Sequence, residues 1–556
     1  MKLRSLFFGA LACITMASCS SDDDSTSADK GNTKSYVSVR LTMPGNTTRA
    51  WDETNADSNF EDAPESELKV NEAMFFFFNE FDEGCANATI ISGKDLTWTD
   101  GTANTVDEKS NAVIVIDTRK DPSKPNPFET PSKITCVLNP TPAIKALQNS
   151  QVDLSDLQAK IESYNFDKAP FMMSTSVYVD GGKVIATTDI SNNVFDNTDA
   201  AKASPVSIPV EKVVAKVKTF YSKTKSENFP LYINKEAAPK TLYVELTKAW
   251  WIDNTRTEAD LLKKVSTSYS ESGTGIGNTN WWNDAVNSRS YWANTADYTD
   301  DKFLHYKFSD ATGADKFCLE HTSVQNYNPD SAKMTKVVFQ GYIRDAATGD
   351  AVDLIKYSGF HYTGEGLKNF IAQQGVVRKF YKKKDSETTY TQLNASDIEY
   401  IWNEDGNILN YKSISGTVTP LKDYHVMVSL KADNEYKYYT SVDEEPDPSN
   451  PTETTAAAIA QEWQSRFGEL KYWKNGQTYF FAEITHNDAS SFAKYGVVRN
   501  HLYKMTVNSL KGFGTPVPNE DKTIIPERPV DDKESYISAE IKILKYRIVE
   551  QSVDLH

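Results

Sequence analysis

Ser35-Tyr36-Val37-Ser38-Val39-Arg40-Leu41-Thr42-Met43 alternates strictly, with Val37, Val39, Leu41 and Met43 on one face and Ser38, Arg40 and Thr42 on the other. A two-residue period of this length predicts a β-strand with one buried face. Pro44-Gly45-Asn46-Thr47-Thr48 follows and predicts a turn-rich loop that stops the strand. Arg49-Ala50 falls in the exposed part of that loop, where a protease reaches the backbone most readily. A cut after Arg49 would delete the whole strand. It would leave an apolar floor between unpaired backbone groups, a template for pairing with another chain. The same arginine can equally be an ordinary loop residue, and spacing alone leaves both readings open.

Upstream of the strand, Lys2 and Arg4 precede the apolar run of residues 6–16, which is too short to span a bilayer, so residues 1–19 read as a cleaved export signal. Ala17-Ser18 before Cys19 resembles a bacterial lipobox, in which the cysteine is acylated and becomes the new N-terminus; Cys13 is the weaker alternative because it lies inside the apolar run. Ser20-Ser21-Asp22-Asp23-Asp24 follows and resembles the acidic tract that sends Bacteroidia lipoproteins to the outer face of the outer membrane; it also reads as a solvated tether. Residues 20–49 are then a propeptide containing the removable strand.

Downstream, short apolar runs alternate with turn residues at 73–78, 112–116, 134–138, 171–179 and 183–188. Met74-Phe75-Phe76-Phe77-Phe78 is too apolar for a one-sided strand and is expected to be buried on both faces. Helical spacing is confined mainly to residues 142–163, with Ile144, Leu147, Leu154 and Leu157 as the stripe, and to residues 455–467. Pro205-Val206-Ser207-Ile208-Pro209 marks a junction, after which further strands are expected at 210–221, 241–251, 336–343, 424–430 and 478–485. The fold class is mainly β. The expected organisation is an N-terminal β-sandwich domain over 50–208 and a C-terminal one over 209–515, with an insertion at about 252–335. A C-terminal extension over 516–556 completes the chain. There, Ile537, Ala539, Ile541 and Ile543 alternate with polar residues as one more strand, preceded by the proline-containing segment 512–533, which reads as an extended arm. That strand either leaves its own domain or pairs conventionally within it.

With 556 residues the chain is long enough for two large cores, and 39% apolar with 12% aromatic residues is the balance of a folded protein. A net charge of −17 disfavours contact with phosphate backbones and anionic lipid, so no nucleic-acid partner is expected. Removing the first 49 residues, which carry six Lys/Arg against four Asp, makes the body more acidic still. Cys85, Cys136 and Cys318 are too few and too scattered for a disulfide framework or a zinc site.

No grouping reads as catalytic. The seven histidines show no paired metal spacing, and Cys318, Glu320 and His321 are neighbours in sequence without being a spatial dyad. The oxygen-rich stretches 403–407 and 443–447 lack the spacing of a calcium loop. Trp250, Trp251, Trp281, Trp282, Tyr291 and Trp292 could stack on sugar rings, though core packing is their ordinary role. No enzyme activity, metal or cofactor is expected.

Several segments resemble landmarks of the fimbrillins, the type V pilins of the Bacteroidia: Cys136-Val137-Leu138-Asn139-Pro140, Phe171-Met172-Met173-Ser174, Val210-Glu211-Lys212-Val213-Val214-Ala215-Lys216-Val217, and above all Tyr495-Gly496-Val497-Val498-Arg499-Asn500-His501-Leu502-Tyr503. Residues 510–518 and the terminal strand also match the family's ending, and the likeness is greatest to shaft subunits of minor (short) fimbriae. The resemblance implies two transthyretin-like β-sandwich domains with a few short helices and a C-terminal donor-strand extension. It also implies lipidation (palmitate) at Cys19, cleavage between Arg49 and Ala50 by an arginine-specific protease, and polymerisation by donor-strand exchange. The implied partners are further copies of the chain, anchor and tip subunits, and receptors on host cells or other bacteria; membrane contact is through the precursor's lipid alone. The implied setting is a cell-surface fimbria that supports adhesion, biofilm formation and virulence. A surface glycan-binding lipoprotein is the alternative.

Overall fold

The computed structural model describes residues 34–42, 64–98, 110–117, 130–180, 183–231, 240–265, 293, 295, 303–322, 334–404, 407–442, 448–486, 495–524, 526, 537–543 and 547–548. It is mainly β, with short helices. The first group of strands comprises β1 (Lys34–Thr42), β2 (Glu72–Phe78), β3 (Gly84–Ser92), β4 (Ser110–Asp117), β5 (Lys133–Leu138), β6 (Met173–Thr175) and β7 (Val206–Lys212). They run in the order β3-β2-β5-β6-β7-β1-β4. β7 is shared: Val210, Glu211 and Lys212 pair with β6, whereas residues 206–209 pair with β1.

The Met74-to-Phe78 run is buried on both faces, as its composition demands. Phe75 and Phe77 enter one core with Val37, Val39, Leu41, Ile114, Ile134 and Ile208. Met74, Phe76 and Phe78 enter another with Ile144, Leu154, Leu157, Phe171 and Leu319. The expected helical stripe over 142–163 resolves into two short helices, Pro142–Lys145 and Leu154–Ala159, because residues 146–153 turn between them. The stripe residues Ile144, Leu154 and Leu157 remain on one buried side.

β8 (Val214–Tyr221) follows β7 with only Val213 between them. With β9 (Lys240–Asp253), β10 (Lys316–Leu319), β11 (Lys336–Asp345), β12 (Gln477–Glu483), β13 (His501–Leu510) and β14 (Ile537–Ile543), it builds two further sheets. Their orders are β10-β8-β13-β14 and β9-β11-β12, and they share a core of Val217, Val244, Trp250, Phe339, Phe480, Tyr503 and Met505. Within the expected insertion at 252–335, β10 is thus a regular member of this layer.

Between β11 and β12 lies a unit that strand periodicity did not set apart. Ile355, Leu367, Phe380, Ile398, Val426, Val428, Ile459, Trp463 and Leu470 form its separate core. The expected strand near 424–430 (His425–Leu430) and the helix near 455–467 (Ala456–Phe467) both belong to it. Thr455 caps that helix, its Oγ1 accepting from Ala458 N at 3.1 Å.

Candidate assembly site

β1 is an interior strand. It runs antiparallel to β4 on one side, with Val37 opposite Ile114 and Val39 opposite Ala112, and parallel to β7 on the other, with Val39 opposite Val206 and Leu41 opposite Ile208. Val37, Val39 and Leu41 are fully buried in the core, worth about 2 kcal/mol each against exposure. The start of the strand is also held from outside its ladder: Tyr36 N donates to Phe195 O at 2.7 Å, and Phe195 N returns a bond to Tyr36 O at 2.8 Å. Sequence reading missed this clamp because Phe195 lies in a region without strand periodicity. Without β1, β4 and β7 would each have an open edge above an apolar floor. Met43, Arg49, Ala50 and the lipidation candidate Cys19 lie outside the described residues.

At the other end of the chain, β14 pairs antiparallel with β13, Ile537 opposite Leu510 and Ile543 opposite Tyr503, with an irregularity between Val507 and Ser509. Ile537, Ala539, Ile541 and Ile543 are therefore ladder residues of an edge strand in the single chain. A separate short strand, Arg547–Ile548, pairs parallel with β13, which accounts for the change of apolar parity after Ile543. The segment before β14 is not an extended arm over its whole length. Thr515–Pro516 pairs with β12, and Thr523–Ile524 pairs with Tyr306–Lys307. Val517 and Ile524 are buried, and Lys336 Nζ donates to Pro526 O at 2.6 Å. Gly514, with φ +69°, lies where a Cβ would sit 2.8 Å from Tyr479 O, so only glycine permits this close docking. Prolines and charges read as a loose segment, but apolar Val517 and Ile524 are its anchors.

The segment 495–503 contains a buried ionic and hydrogen-bonded centre between β13, β8 and β10. Arg499 is buried; its N and Nε both donate to the Glu320 carboxylate at 3.1 Å, and Nη2 donates to Asp260 O at 2.8 Å. Asn500, at φ +59°, donates from its N to Val214 O at 2.8 Å. Elsewhere Glu67, just before β2, bonds Lys216 Nζ on β8 at 2.6 Å and Lys212 Nζ at the end of β7 at 3.3 Å, all three side chains buried. Burial pushes the Lys212 ammonium down to about 8 despite its carboxylate partner. Buried charges of this kind persist only where partners surround them.

Chemistry is absent where the sequence brought Cys318, Glu320 and His321 together. Glu320 is engaged with Arg499, burial pushes the Cys318 thiol up to about 12, and burial with the nearby Arg256 charge pushes His321 down to about 3. A protonated thiol and a neutral imidazole cannot act as an activated pair. Trp250 and Trp251 are 1% exposed and serve as core, not as a sugar platform; Trp281, Trp282, Tyr291 and Trp292 lie outside the described residues. Among the described residues Cys85, Cys136 and Cys318 form no disulfide. Asn403 is buried and donates to Leu421 O at 2.7 Å; residues 443–447 lie outside the described set. Among the described residues no group of three acidic, histidine or cysteine side chains is placed to hold a metal ion.

Residues 471–552 match the family described as Major fimbrial subunit protein type IV, Fimbrillin, C-terminal, a span from the end of the 354–473 unit through β14. No curated protein matches the chain. Distant likenesses exist among solved structures. A candidate cell adhesion protein of Parabacteroides distasonis is 9% identical with a TM-score of 0.32, over 92% of this chain and 96% of that one. One of Bacteroides eggerthii is 9% identical at 0.31, over 93% and 95%. The tip fimbrial protein Mfa3 of Porphyromonas gingivalis, C-terminally truncated, is 8% identical at 0.30, over 92% and 99%. Likenesses this remote decide nothing about this chain.

Proposed function

We propose that the chain is a fimbrillin of the Bacteroidia, a structural protein and not an enzyme, and that it serves as a shaft subunit of a surface fimbria. The precursor is exported as a lipoprotein acylated at Cys19 and held at the outer membrane. An arginine-specific protease cuts between Arg49 and Ala50, and β1 is lost. The C-terminal strand of the next copy, with Ile537, Ala539, Ile541 and Ile543 as its apolar face, fills the place. We read the two main bodies as transthyretin-like sandwiches, the second carrying the 354–473 unit, and the polymer as an adhesive surface fibre that works with anchor and tip subunits and meets receptors on host or bacterial cells.

The observation that supports this reading best is that β1 is an interior strand with both edges paired and three fully buried side chains, yet is followed in sequence within a few residues by Arg49. A cut after Arg49 would separate β1 from all of the later strands at once. Its loss leaves backbone groups that another strand can satisfy. Arg49→Ala tests the reading. The uncut protein is expected to be a folded, soluble monomer that forms no filaments, because β1 still occupies its place. Filaments built from protein shown by mass spectrometry to be uncut would remove the proteolytic step.

A further inference from the structure

The last strand repeats the first, position for position. Tyr36-Val37-Ser38-Val39-Arg40-Leu41-Thr42-Met43 corresponds to Tyr536-Ile537-Ser538-Ala539-Glu540-Ile541-Lys542-Ile543, with tyrosine and serine identical and apolar residues at the same four places. The serine is the informative match. Ser38 is on the face opposite Val37, Val39 and Leu41, yet it is 2% exposed. The helix Thr198–Ala203 packs against β1, and Phe195 bonds the backbone of Tyr36 beside it. The outer face is thus covered at Ser38, where a small side chain now sits.

We propose that the C-terminal strand of one copy enters the place of β1 in the next in a single register, residue 536 + n where β1 has residue 36 + n. This rests on the strand-exchange reading above and adds its register and direction. Of the residues that would face outward, Tyr536, Ser538, Glu540 and Lys542, the serine alone is small and uncharged. A shift of two residues puts Tyr536 or Glu540 into the covered Ser38 position, and burying an unpaired carboxylate there is costly. A shift of one turns the apolar face away from the core. Direction follows from the match, which is read in the same sense as β1, so the entering strand runs parallel to β7 and antiparallel to β4 as β1 does. The same pairing gives the exchange its driving force. On its own subunit β14 borders one strand, β13. In the place of β1 it would border two.

Cysteine pairs read the register directly. Arg40 and Asn111 are opposite one another, as are Ser38 and Val113. In the uncut precursor, Arg40→Cys with Asn111→Cys, and Ser38→Cys with Val113→Cys, establish which pair closes an intrachain disulfide. In cleaved, assembled protein, Asn111→Cys is then combined with Ser538→Cys, Glu540→Cys or Lys542→Cys in turn, and Val113→Cys with Ser538→Cys. The expected result is a covalent ladder from Asn111→Cys with Glu540→Cys, and from Val113→Cys with Ser538→Cys, but not from the shifted partners. A ladder from Ser538→Cys or Lys542→Cys with Asn111→Cys overturns the register while leaving strand exchange intact. Filaments with no ladder from any combination, where the precursor pair does close, overturn strand exchange itself.

Discussion

Arg499 keeps a charge inside the protein because the Glu320 carboxylate and the Asp260 carbonyl surround its guanidinium. Its segment was visible in the sequence as a landmark, but its role was not, since Glu320 and Asp260 lie far away along the chain. Lys212 and Lys216 were hidden for the same reason: a lysine alone reads as a solvent-facing residue, and its partner Glu67, on a short helix near residue 65, lies far away along the chain. His321 provides a test at this scale. Its folded-state value is about 3 and its unfolded value near 6.5, so below about pH 6.5 the unfolded chain binds a proton that the folded chain refuses. The stability it contributes is complete above pH 6.5 and is lost as pH falls toward 3, by a few kcal/mol at most. His321→Gln is expected to reduce proton uptake on unfolding between pH 6.5 and 4 by about one, measured from the slope of unfolding free energy against pH; an unchanged slope contradicts the assignment.

Strands were legible wherever their pattern was local. The alternation at 35–43, the doubly buried run at 74–78 and the alternation from Ile537 to Ile543 all appear as strands, because the two-residue period is written into each segment. What periodicity cannot say is which core a strand joins, so the unit between β11 and β12 was read as more of the same series. Nor could it show that residues 513–526 are docked by Val517, Ile524 and Pro526, since two apolar residues among prolines and charges carry no period. At this scale the account predicts the effect of deleting residues 536–556. β14 is an edge strand, and β13 keeps β8 on its other side, so the truncated chain is expected to remain a folded monomer by circular dichroism. Electron microscopy of the cleaved protein should then show no filaments. Loss of the folded monomer would mean that β14 is an ordinary core strand and not a donor.

Across the whole molecule the two ends of the chain carry one strand pattern, and Glu67 ties the helix before β2 to β7 and β8 through Lys212 and Lys216. Docking through Pro526 leaves residues 527–556 as the portion available to reach a neighbour, a length of roughly 100 Å if fully extended, more than the span of a strand. Such a fibre needs each subunit to have lost its first strand and its lipid together, because Cys19 and residues 35–43 lie on the same side of Arg49. The most direct test is therefore the N-terminus of the subunit in filaments sheared from the cell surface, read by N-terminal sequencing and intact mass. The account predicts a chain that begins at Ala50 and bears no acyl group; filament subunits that retain acylated Cys19 or residues 35–43 would contradict it.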